Sequence, residues 1–169
     1  MLYIRNESTN PYFNLAMEEY LFNLNDGQSY VLLWQNEPTI VVGKHQNTAE
    51  EINSDYVKEK GINVVRRITG GGAVYHDLGN LNYTFIIKGL EKSEFDFRKF
   101  TMPIIRALKK LGVESKLSGR NDITIDGRKF SGNAQAVKNG KLLHHGTLLF
   151  DSKMEELAKA LKVSEDKFR

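Results

Sequence analysis

Cysteine is absent from this 169-residue chain, and no apolar run approaches the roughly 20 residues that a helix needs to cross a bilayer. Without thiols the chain can form no disulfide, build no thiolate metal site and offer no cysteine nucleophile. The first seven residues also lack the basic start and apolar core of a secretory signal. The sequence therefore predicts a soluble protein that is located in the cytoplasm.

The chain also lacks a strong charge of either sign. Its 24 Lys and Arg residues against 21 Asp and Glu residues give a net charge of +3, and the basic residues are spread along the sequence. Nucleic-acid-binding domains instead cluster their basic residues on one face. We therefore expect no nucleic-acid partner and no membrane partner. The length fits one domain with its own core.

Only three prolines are present, and the first marks the start of a helix. Asn10 is a suitable N-cap, and Pro11 is a suitable first helical residue. Apolar residues then recur at helical spacing and predict one buried face. That face consists of Phe13, Ala16, Met17, Tyr20, Leu21 and Leu24. Glu18 and Glu19 lie off this face, so we expect both to be solvated.

Further helices and strands follow from the same kind of pattern. A capping-box spacing opens a helix over residues 48–60, which Gly61 ends, and a last helix opens at residue 152. Pro103 predicts either a kink or a helix start near Thr101. Strands are predicted over residues 2–4, 30–34, 39–43, 63–67, 81–87, 113–117, 123–125, 134–137 and 142–150, with residue 130 as a further candidate.

The strands at residues 30–34 and 39–43 are nearly continuous apolar runs, which predicts burial on both faces. Asp126-Gly127 and Asn139-Gly140 are hairpin turn signals between later strands. Because hairpins and helices both connect the strands, the predicted fold class is α+β, with a mixed, largely antiparallel central sheet flanked by helices.

Three consecutive glycines at residues 70–72 follow two arginines and precede an apolar strand. Glycine exposes bare backbone N–H groups, and guanidinium groups bind carboxylates and phosphates, so the loop predicts an anion site. The spacing matches neither a Walker A loop nor a dinucleotide fingerprint. A glycine-rich hairpin corner without a ligand is the alternative. Arg66 and Arg67 should point to opposite faces, so we expect only one of them in the site.

Two later stretches add polar candidates. Lys129 follows a tight turn, and Asn121 and Asp122 precede it closely, so Lys129 can act as a point charge toward a carboxylate or phosphate. His144 and His145 are adjacent on a predicted strand and should face opposite sides. Because they cannot share one metal ion and no cysteine is present, we expect no zinc site.

Residues 66–80 closely resemble the signature of the lipoate–protein ligase A family. Residues 11–19, 119–122 with 127–132, and 144–149 match the same family in the same order. These four motifs extend over most of the chain. The resemblance implies the catalytic-domain fold shared by lipoate and biotin protein ligases. It also implies that residues 1–169 form the larger, N-terminal portion of a ligase catalytic domain.

The activity implied by the resemblance is ATP-dependent activation of lipoate or octanoate to an acyl-adenylate, followed by transfer to a lysine of a lipoyl domain. ATP and Mg²⁺ are the implied cofactors, and lipoate is the implied substrate. The implied partners are the lipoyl domains of 2-oxo acid dehydrogenase E2 subunits, the glycine-cleavage H protein, and a second chain or fragment that completes the ligase.

The resemblance also implies roles for individual residues. Lys129 is the implied catalytic residue and Asp122 the implied Mg²⁺ ligand. The implied ATP and adenylate contacts are Arg67, Gly72, Ala73, Val74, Tyr75, Asn121 and Lys129. The implied lipoate contacts are Arg67, Gly71, His76 and Lys129.

Three alternatives remain at this stage. An ATP-independent lipoyl or octanoyl transferase of the same fold would need a cysteine to hold the acyl group as a thioester, and this chain has none. A biotin ligase lacks support because its Gly-Arg-Gly-rich loop is absent. A non-catalytic fragment that binds adenylate or lipoate is the third. The chain ends at Lys167-Phe168-Arg169 soon after a predicted helix, so we expect a fragment or one half of a split ligase.

Overall fold

The computed structural model describes residues 1–89, 96–119 and 121–161. Arg120 of the third motif and the last three residues of the chain lie outside this part. The helices are α1 (Pro11–Asn23), α2 (Thr48–Glu51), α3 (Ser54–Lys60), α4 (Phe97–Lys110) and α5 (Met154–Ala160). The strands are β1 (Leu2–Arg5), β2 (Tyr30–Trp34), β3 (Thr39–Val42), β4 (Asn63–Arg66), β5 (Val74–His76), β6 (Asn80–Lys88), β7 (Lys116–Ser118), β8 (Asp122–Ile125), β9 (Arg128–Lys138) and β10 (Lys141–Leu149).

The strands form two sheets, which confirms the α+β prediction. The larger sheet has the order β1-β2-β6-β10-β9-β8-β7, and the smaller has the order β4-β3-β5. Parallel pairing occurs between β1 and β2 and between β3 and β4, and the other pairs are antiparallel. The predicted mixed, largely antiparallel arrangement is therefore correct, although it is divided over two sheets.

The smaller sheet is buried on both sides because β3 contributes to two cores. Val41 packs with residues of α1, β2, β6 and β10, whereas Ile40 and Val42 pack with α3, β5 and α5. All four residues of β3 are buried, as predicted. The same prediction is wrong for β2, since the Leu33 side chain is 39% exposed.

Helix α1 begins as predicted but buries a different face. The Asn10 side chain accepts hydrogen bonds from the amides of the second and third helical residues, and Pro11 occupies the first position. Phe13, Ala16 and Tyr20 of the predicted face are exposed, and its Leu21 is buried as predicted, together with the unpredicted Asn14, Leu15, Glu18 and Phe22. The prediction that Glu18 is solvated is wrong, and only Glu19 is exposed. Glu18 can be buried because residues of the large sheet donate hydrogen bonds to its carboxylate.

Three other element predictions need correction. The helix expected over residues 48–60 is divided into α2 and α3, because Ile52 and Asn53 are extended and Asn53 caps a new helix. The Asn47 side chain caps α2 by accepting a hydrogen bond from the Ala49 amide. Helix α4 begins at Phe97 and contains Pro103 in its interior, so the predicted start near Thr101 is wrong. Strand β5 was not predicted as a separate strand.

Both predicted hairpin turns are confirmed. Asp126 and Gly127 have φ angles of 49° and 76°, and Asn139 and Gly140 have φ angles of 52° and 71°. Two consecutive positive φ angles define the turn that matches the twist of a two-residue hairpin. These turns place β8, β9 and β10 side by side. None of the helices in the described ranges is long and apolar enough to span a membrane, and the cytoplasmic location stays a prediction.

Candidate functional site

A cavity of about 220 Å³ lies where the glycine loop (residues 70–72) and β5 face β9 and β10 of the large sheet. Eight of the ten residues predicted for the site line this one cavity. They are Arg67, Gly71, Gly72, Ala73, Val74, His76, Asn121 and Lys129. The fold thus brings together residues that are up to 62 positions apart in the sequence, from Arg67 to Lys129.

The other two predicted residues do not line the cavity. Tyr75 lies on the opposite face of β5 from Val74 and His76, and its side chain packs with Ile40 and Val42. Asp122 lies beside the cavity and forms an ion pair with Lys129, with 3.0 Å between Oδ1 and Nζ. The structure therefore places Asp122 next to the cationic end of the site.

The glycine loop packs tightly against the end of β3. The Lys44 amide donates to the Thr69 carbonyl at 2.9 Å. A Cβ atom on Gly43 would lie 2.0 Å from the Gly71 carbonyl oxygen, so only glycine fits at position 43. Gly71 has a φ of +98°, a conformation that also favours glycine. By contrast, a Cβ atom on Gly70 would contact nothing among the described residues.

Arg67 holds the glycine loop from inside. Its guanidinium donates to Thr69 Oγ1 at 3.0 Å, to the Val41 carbonyl at 3.1 Å, and to the Gly70 and Gly72 carbonyls at 2.8 Å each. Burial lowers the pKa of Arg67, and the charge of Glu18 opposes that shift. Two of the five N–H groups of Arg67 therefore bind the loop backbone, and two others bind Thr69 and β3, which ties the glycine loop to β3.

Arg66 points to the other side of β4, as the alternation of a strand predicts. Its guanidinium donates to the carbonyls of Gly43 and Gln46 at 2.8 and 2.9 Å and to Thr48 Oγ1 at 2.8 Å. Arg66 thus binds the backbone of the segment between β3 and α2. Of the two arginines, only Arg67 lines the cavity.

A β-bulge directs Lys129 toward the cavity. Ile123 pairs with Ser131 and Thr124 pairs with Lys129, so Phe130 is an extra residue in β9. Residues three apart on a regular strand face opposite sides, but the bulge places the Lys129 side chain over Gly132. A Cβ atom on Gly132 would lie 3.3 Å from Lys129 Nζ. The small residue at position 132 therefore leaves room for the lysine.

The ion pair between Lys129 and Asp122 is accessible to a ligand. The two side chains are 59% and 32% exposed. Exposed ion pairs contribute only about 0–1 kcal/mol, so an anionic ligand can draw Lys129 away from Asp122 at little cost. Lys129 is therefore a solvent-exposed positive charge, which we take as the mouth of the cavity.

Asn121 is fixed by reciprocal hydrogen bonds with Asn133. The side-chain amide of Asn121 donates to the backbone carbonyl of Asn133 at 2.9 Å, and the side-chain amide of Asn133 donates to the backbone carbonyl of Asn121 at 2.8 Å. The Tyr83 hydroxyl donates to Asn133 Oδ1. A Cβ atom on Gly146 would lie 2.1 Å from that same oxygen, so the glycine lets Asn133 approach β10.

A buried polar chain that the sequence did not predict lies beside the cavity. His145 Nδ1 donates to both Glu18 carboxylate oxygens at 2.9 and 3.1 Å, and His145 Nε2 contacts Thr69 Oγ1 at 2.7 Å. The Thr84 hydroxyl donates to Glu18 at 2.7 Å, and Trp34 Nε1 donates to Thr84 at 2.9 Å. Since Thr69 also binds Arg67, this chain connects α1 to the glycine loop. Glu18 and Asn14 are four residues apart and share the buried face of α1, but helical spacing alone does not distinguish this face from the predicted one.

The two adjacent histidines face opposite sides of β10, as predicted. His145 lines the cavity, whereas His144 packs among the rings of Tyr83, Phe85, Phe97 and Phe100. Burial lowers the pKa of His144 to about 3. Within the described residues, no group of three or more His, Cys, Asp or Glu side chains is arranged to hold a metal ion.

Comparison with known proteins identifies the class to which this fold and site belong. The sequence model of the lipoyl protein ligase A/B catalytic domain matches residues 10–169. Because this match extends over most of the chain, the protein belongs to the lipoyl protein ligase A/B catalytic-domain family. The family named by the resemblance is therefore confirmed.

Individual relatives support the same family. Over 169 residues, the chain is 57% identical to the lipoate-protein ligase LplJ of Bacillus subtilis, covering 99% of this chain and 51% of the relative. The structure of P. falciparum LipL1 in complex with lipoate has a TM-score of 0.87 at 36% identity, covering 97% of this chain and 52% of that chain.

Two further solved structures resemble the chain. A lipoate-protein ligase A bound with ATP has a TM-score of 0.82 at 27% identity, covering all of this chain and 72% of that chain. A bipartite lipoate protein ligase of Thermoplasma acidophilum, described with its E2 lipoyl domain, has a TM-score of 0.85 at 29% identity and covers 98% of this chain and 66% of that chain. The chain spans about half the length of the curated relative named above.

Proposed function

We propose that this chain carries the lipoate-activating site of a lipoate–protein ligase. The observation that carries the proposal is the convergence of Lys129, the loop amides and a partly apolar cavity at one place. The cavity accommodates an acyl chain, and the cationic mouth accommodates its carboxylate. Relatives described with lipoate and with ATP support both halves of this assignment.

The proposed reaction has two steps. A lipoate carboxylate oxygen attacks the α-phosphorus of ATP, the bond to the β-phosphate oxygen breaks, and pyrophosphate leaves. The amine of an acceptor lysine then attacks the acyl carbonyl, AMP leaves, and the nitrogen loses a proton. Preorganised positive charge assists both steps, because two anions must be brought together and charge develops on oxygen.

The side chains of this site have distinct proposed roles. Lys129 lies between the lipoate carboxylate and the α-phosphate as a point charge. Arg67 holds the glycine loop so that the amides of Gly72, Ala73 and Val74 face the adenylate. Asp122 is a single carboxylate beside Lys129, and Mg²⁺ is commonly held by one or two carboxylates together with substrate phosphates. Asp122 would thus hold Mg²⁺ with the phosphates, and the ion would neutralise phosphate charge.

The proposed partners are lipoyl domains of 2-oxo acid dehydrogenase E2 subunits and the glycine-cleavage H protein. The Thermoplasma relative, which is described with its E2 lipoyl domain, supports an acceptor of this kind. Its bipartite nature also supports the proposal that a second chain or fragment completes the ligase. The cytoplasm is the proposed location.

Mass spectrometry of a lipoyl-domain acceptor tests the function. We expect the wild-type chain with ATP, Mg²⁺ and lipoate to add one lipoyl group to the acceptor, and Lys129→Ala to lower the rate at least about 100-fold. Lys138→Ala is the matched control, because Lys138 is also on β9 but binds Asn23 away from the cavity. Acceptor modification from an octanoyl-carrier protein without ATP would instead support the transferase. Full activity of Lys129→Ala would refute the assignment of Lys129.

A further inference from the structure

Two buried hydrogen-bond donors that line the cavity have no partner among the described residues. They are His76 Nε2 and Asn82 Nδ2. His76 is 4% exposed and Asn82 is 1% exposed. An unpaired buried donor costs about 1–3 kcal/mol, so two of them at one cavity indicate a missing acceptor.

The hydrogen-bonding state of His76 follows from a chain of side-chain amides. Asn14 Nδ2 contacts the carbonyls of Ser8 and Gln35 at 3.0 and 2.8 Å, and carbonyls only accept. The same nitrogen contacts Asn36 Oδ1 at 2.9 Å, which leaves Asn36 Nδ2 to face His76 Nδ1 at 3.2 Å. His76 Nδ1 must then accept, so the proton of the neutral ring is on Nε2.

Burial keeps this ring neutral. It lowers the pKa of His76 to about 3, and the neighbouring His145 and Arg67 act in the same direction. His76 therefore offers an uncharged N–H group, which has no ionic attraction for a carboxylate. The positive charge that would attract a carboxylate is on the exposed Lys129 at the mouth.

The two donors flank one aromatic wall of the cavity. Trp34 is the register partner of Asn82 across β2 and β6, and its ring meets the His76 ring edge-on with 6.0 Å between centroids. Trp34, His76 and Asn82 are all buried, whereas Lys129 is exposed, so this wall belongs to the buried part of the cavity lining. His145, by contrast, uses both ring nitrogens on Glu18 and Thr69.

We propose that His76 and Asn82 form a donor pair that selects an acyl acid with a hydrogen-bond acceptor at its buried end. This inference rests on the proposed function, in which the carboxylate is held at Lys129. The acceptor is a dithiolane sulfur of lipoate, which accepts weakly, whereas the saturated carbon of octanoate cannot accept at all. A site built around a hydrogen bond disfavours the analogue that lacks it, because its polar groups then stay unpaired. Asn14 and Asn36 are positioning residues that act through His76.

Calorimetry with two acids of the same shape tests the donor pair. The probes are lipoate and 5-cyclopentylpentanoate, in which two carbons replace the two sulfurs. The measured quantity is the ratio of their dissociation constants, cyclopentylpentanoate over lipoate, in each variant. We expect His76→Phe and Asn82→Leu each to lower this ratio about fivefold, which corresponds to one hydrogen bond. His144→Phe is the matched control and leaves the ratio unchanged, since His144 lies on the far side of β10.

The outcomes separate this inference from the proposed function. If the wild-type chain binds neither acid, the proposed function fails. If it binds both acids and the ratio is the same in wild type and His76→Phe, the donor pair plays no part in selection and the inference is overturned. Circular dichroism of each variant verifies folding, and Asn82→Leu provides the test if His76→Phe is unfolded.

Discussion

Glu18 shows how one buried charge can organise a site from a distance. Glu18 is 1% exposed, and its carboxylate accepts hydrogen bonds from Thr84 and His145. Through His145 and Thr69 it reaches Arg67, whose guanidinium holds the glycine loop. A buried carboxylate without such partners would be strongly unfavourable. We therefore interpret Glu18 as the residue that fixes α1 and the glycine loop relative to each other.

Replacing Glu18 should be far more costly than replacing its neighbour. In Glu18→Ala, His145 Nδ1 and the Thr84 hydroxyl lose their acceptor inside the protein, so we expect the free energy of unfolding to fall by about 3 kcal/mol. Glu19 is exposed, and Glu19→Ala should change it by less than about 0.5 kcal/mol. Urea unfolding of both variants measures the difference. Equal losses would show that the buried chain contributes nothing to stability.

At the level of elements, helical spacing alone did not determine which face of α1 is buried. The predicted face, which includes Phe13 and Tyr20, and the observed face, which includes Leu15, both fit a helical repeat, and Leu21 belongs to both. Polar contacts decide between them, because Asn14 and Glu18 have buried partners far away in the sequence. The α2–α3 break has a local cause, since Asn53 caps a second helix.

The bulge in β9 is another feature that the sequence pattern did not indicate. The hairpin turn at Asp126-Gly127 was predicted correctly, and it brings Lys129 near Asp122. The direction of the Lys129 side chain depends instead on the extra residue Phe130, which only the strand register reveals. Motif resemblance therefore identified Lys129, and the structure explains how it reaches the cavity.

The contact between β3 and the glycine loop predicts a contrast between two glycine substitutions. Gly43→Ala would place a Cβ atom 2.0 Å from the Gly71 carbonyl oxygen, so we expect a loss of about 1–3 kcal/mol in unfolding free energy. It should also weaken lipoate binding, because the loop must move. A Cβ atom at position 70 would lie in open space, so Gly70→Ala should change the free energy of unfolding by less than about 0.5 kcal/mol. Thermal unfolding and calorimetry measure these effects, and a stable, fully binding Gly43→Ala would contradict the described packing.

At the scale of the whole molecule, the site depends on contacts between distant parts of the chain. Glu18 and His145 are separated by 127 positions, and Thr69 and His145 by 76. Local patterns predicted the turns, most strands and the fold class, because these depend on neighbouring residues. The buried polar chain depends on the packing of both sheets against α1, which no local pattern encodes. Eight predicted site residues nevertheless line one cavity, because the family motifs include them.

Two buried histidines predict how global stability changes with pH. The pKa values of His76 and His144 are lowered to about 3, from a usual value of 6.5, mainly by burial. Between these values the unfolded chain takes up a proton at each histidine and the folded chain does not. Lowering the pH therefore favours unfolding, by about 2 kcal/mol per histidine between pH 7 and pH 5.

Urea unfolding at the two pH values tests this expectation. His144→Phe keeps the aromatic packing on β10 and removes one of the two groups, so its loss of stability between pH 7 and pH 5 should be about 2 kcal/mol smaller than that of the wild type. Comparing the two proteins cancels the contribution of carboxylates that both share. An identical pH dependence would contradict the neutral, buried state of His144.

The position of bound lipoate tests the account most directly. We predict that a crystal structure of the chain with lipoate shows the carboxylate about 3 Å from Lys129 Nζ and the dithiolane ring beside Trp34, between His76 and Asn82. Lipoate bound in another cavity, or with its carboxylate at His76 and its ring at Lys129, would contradict the account.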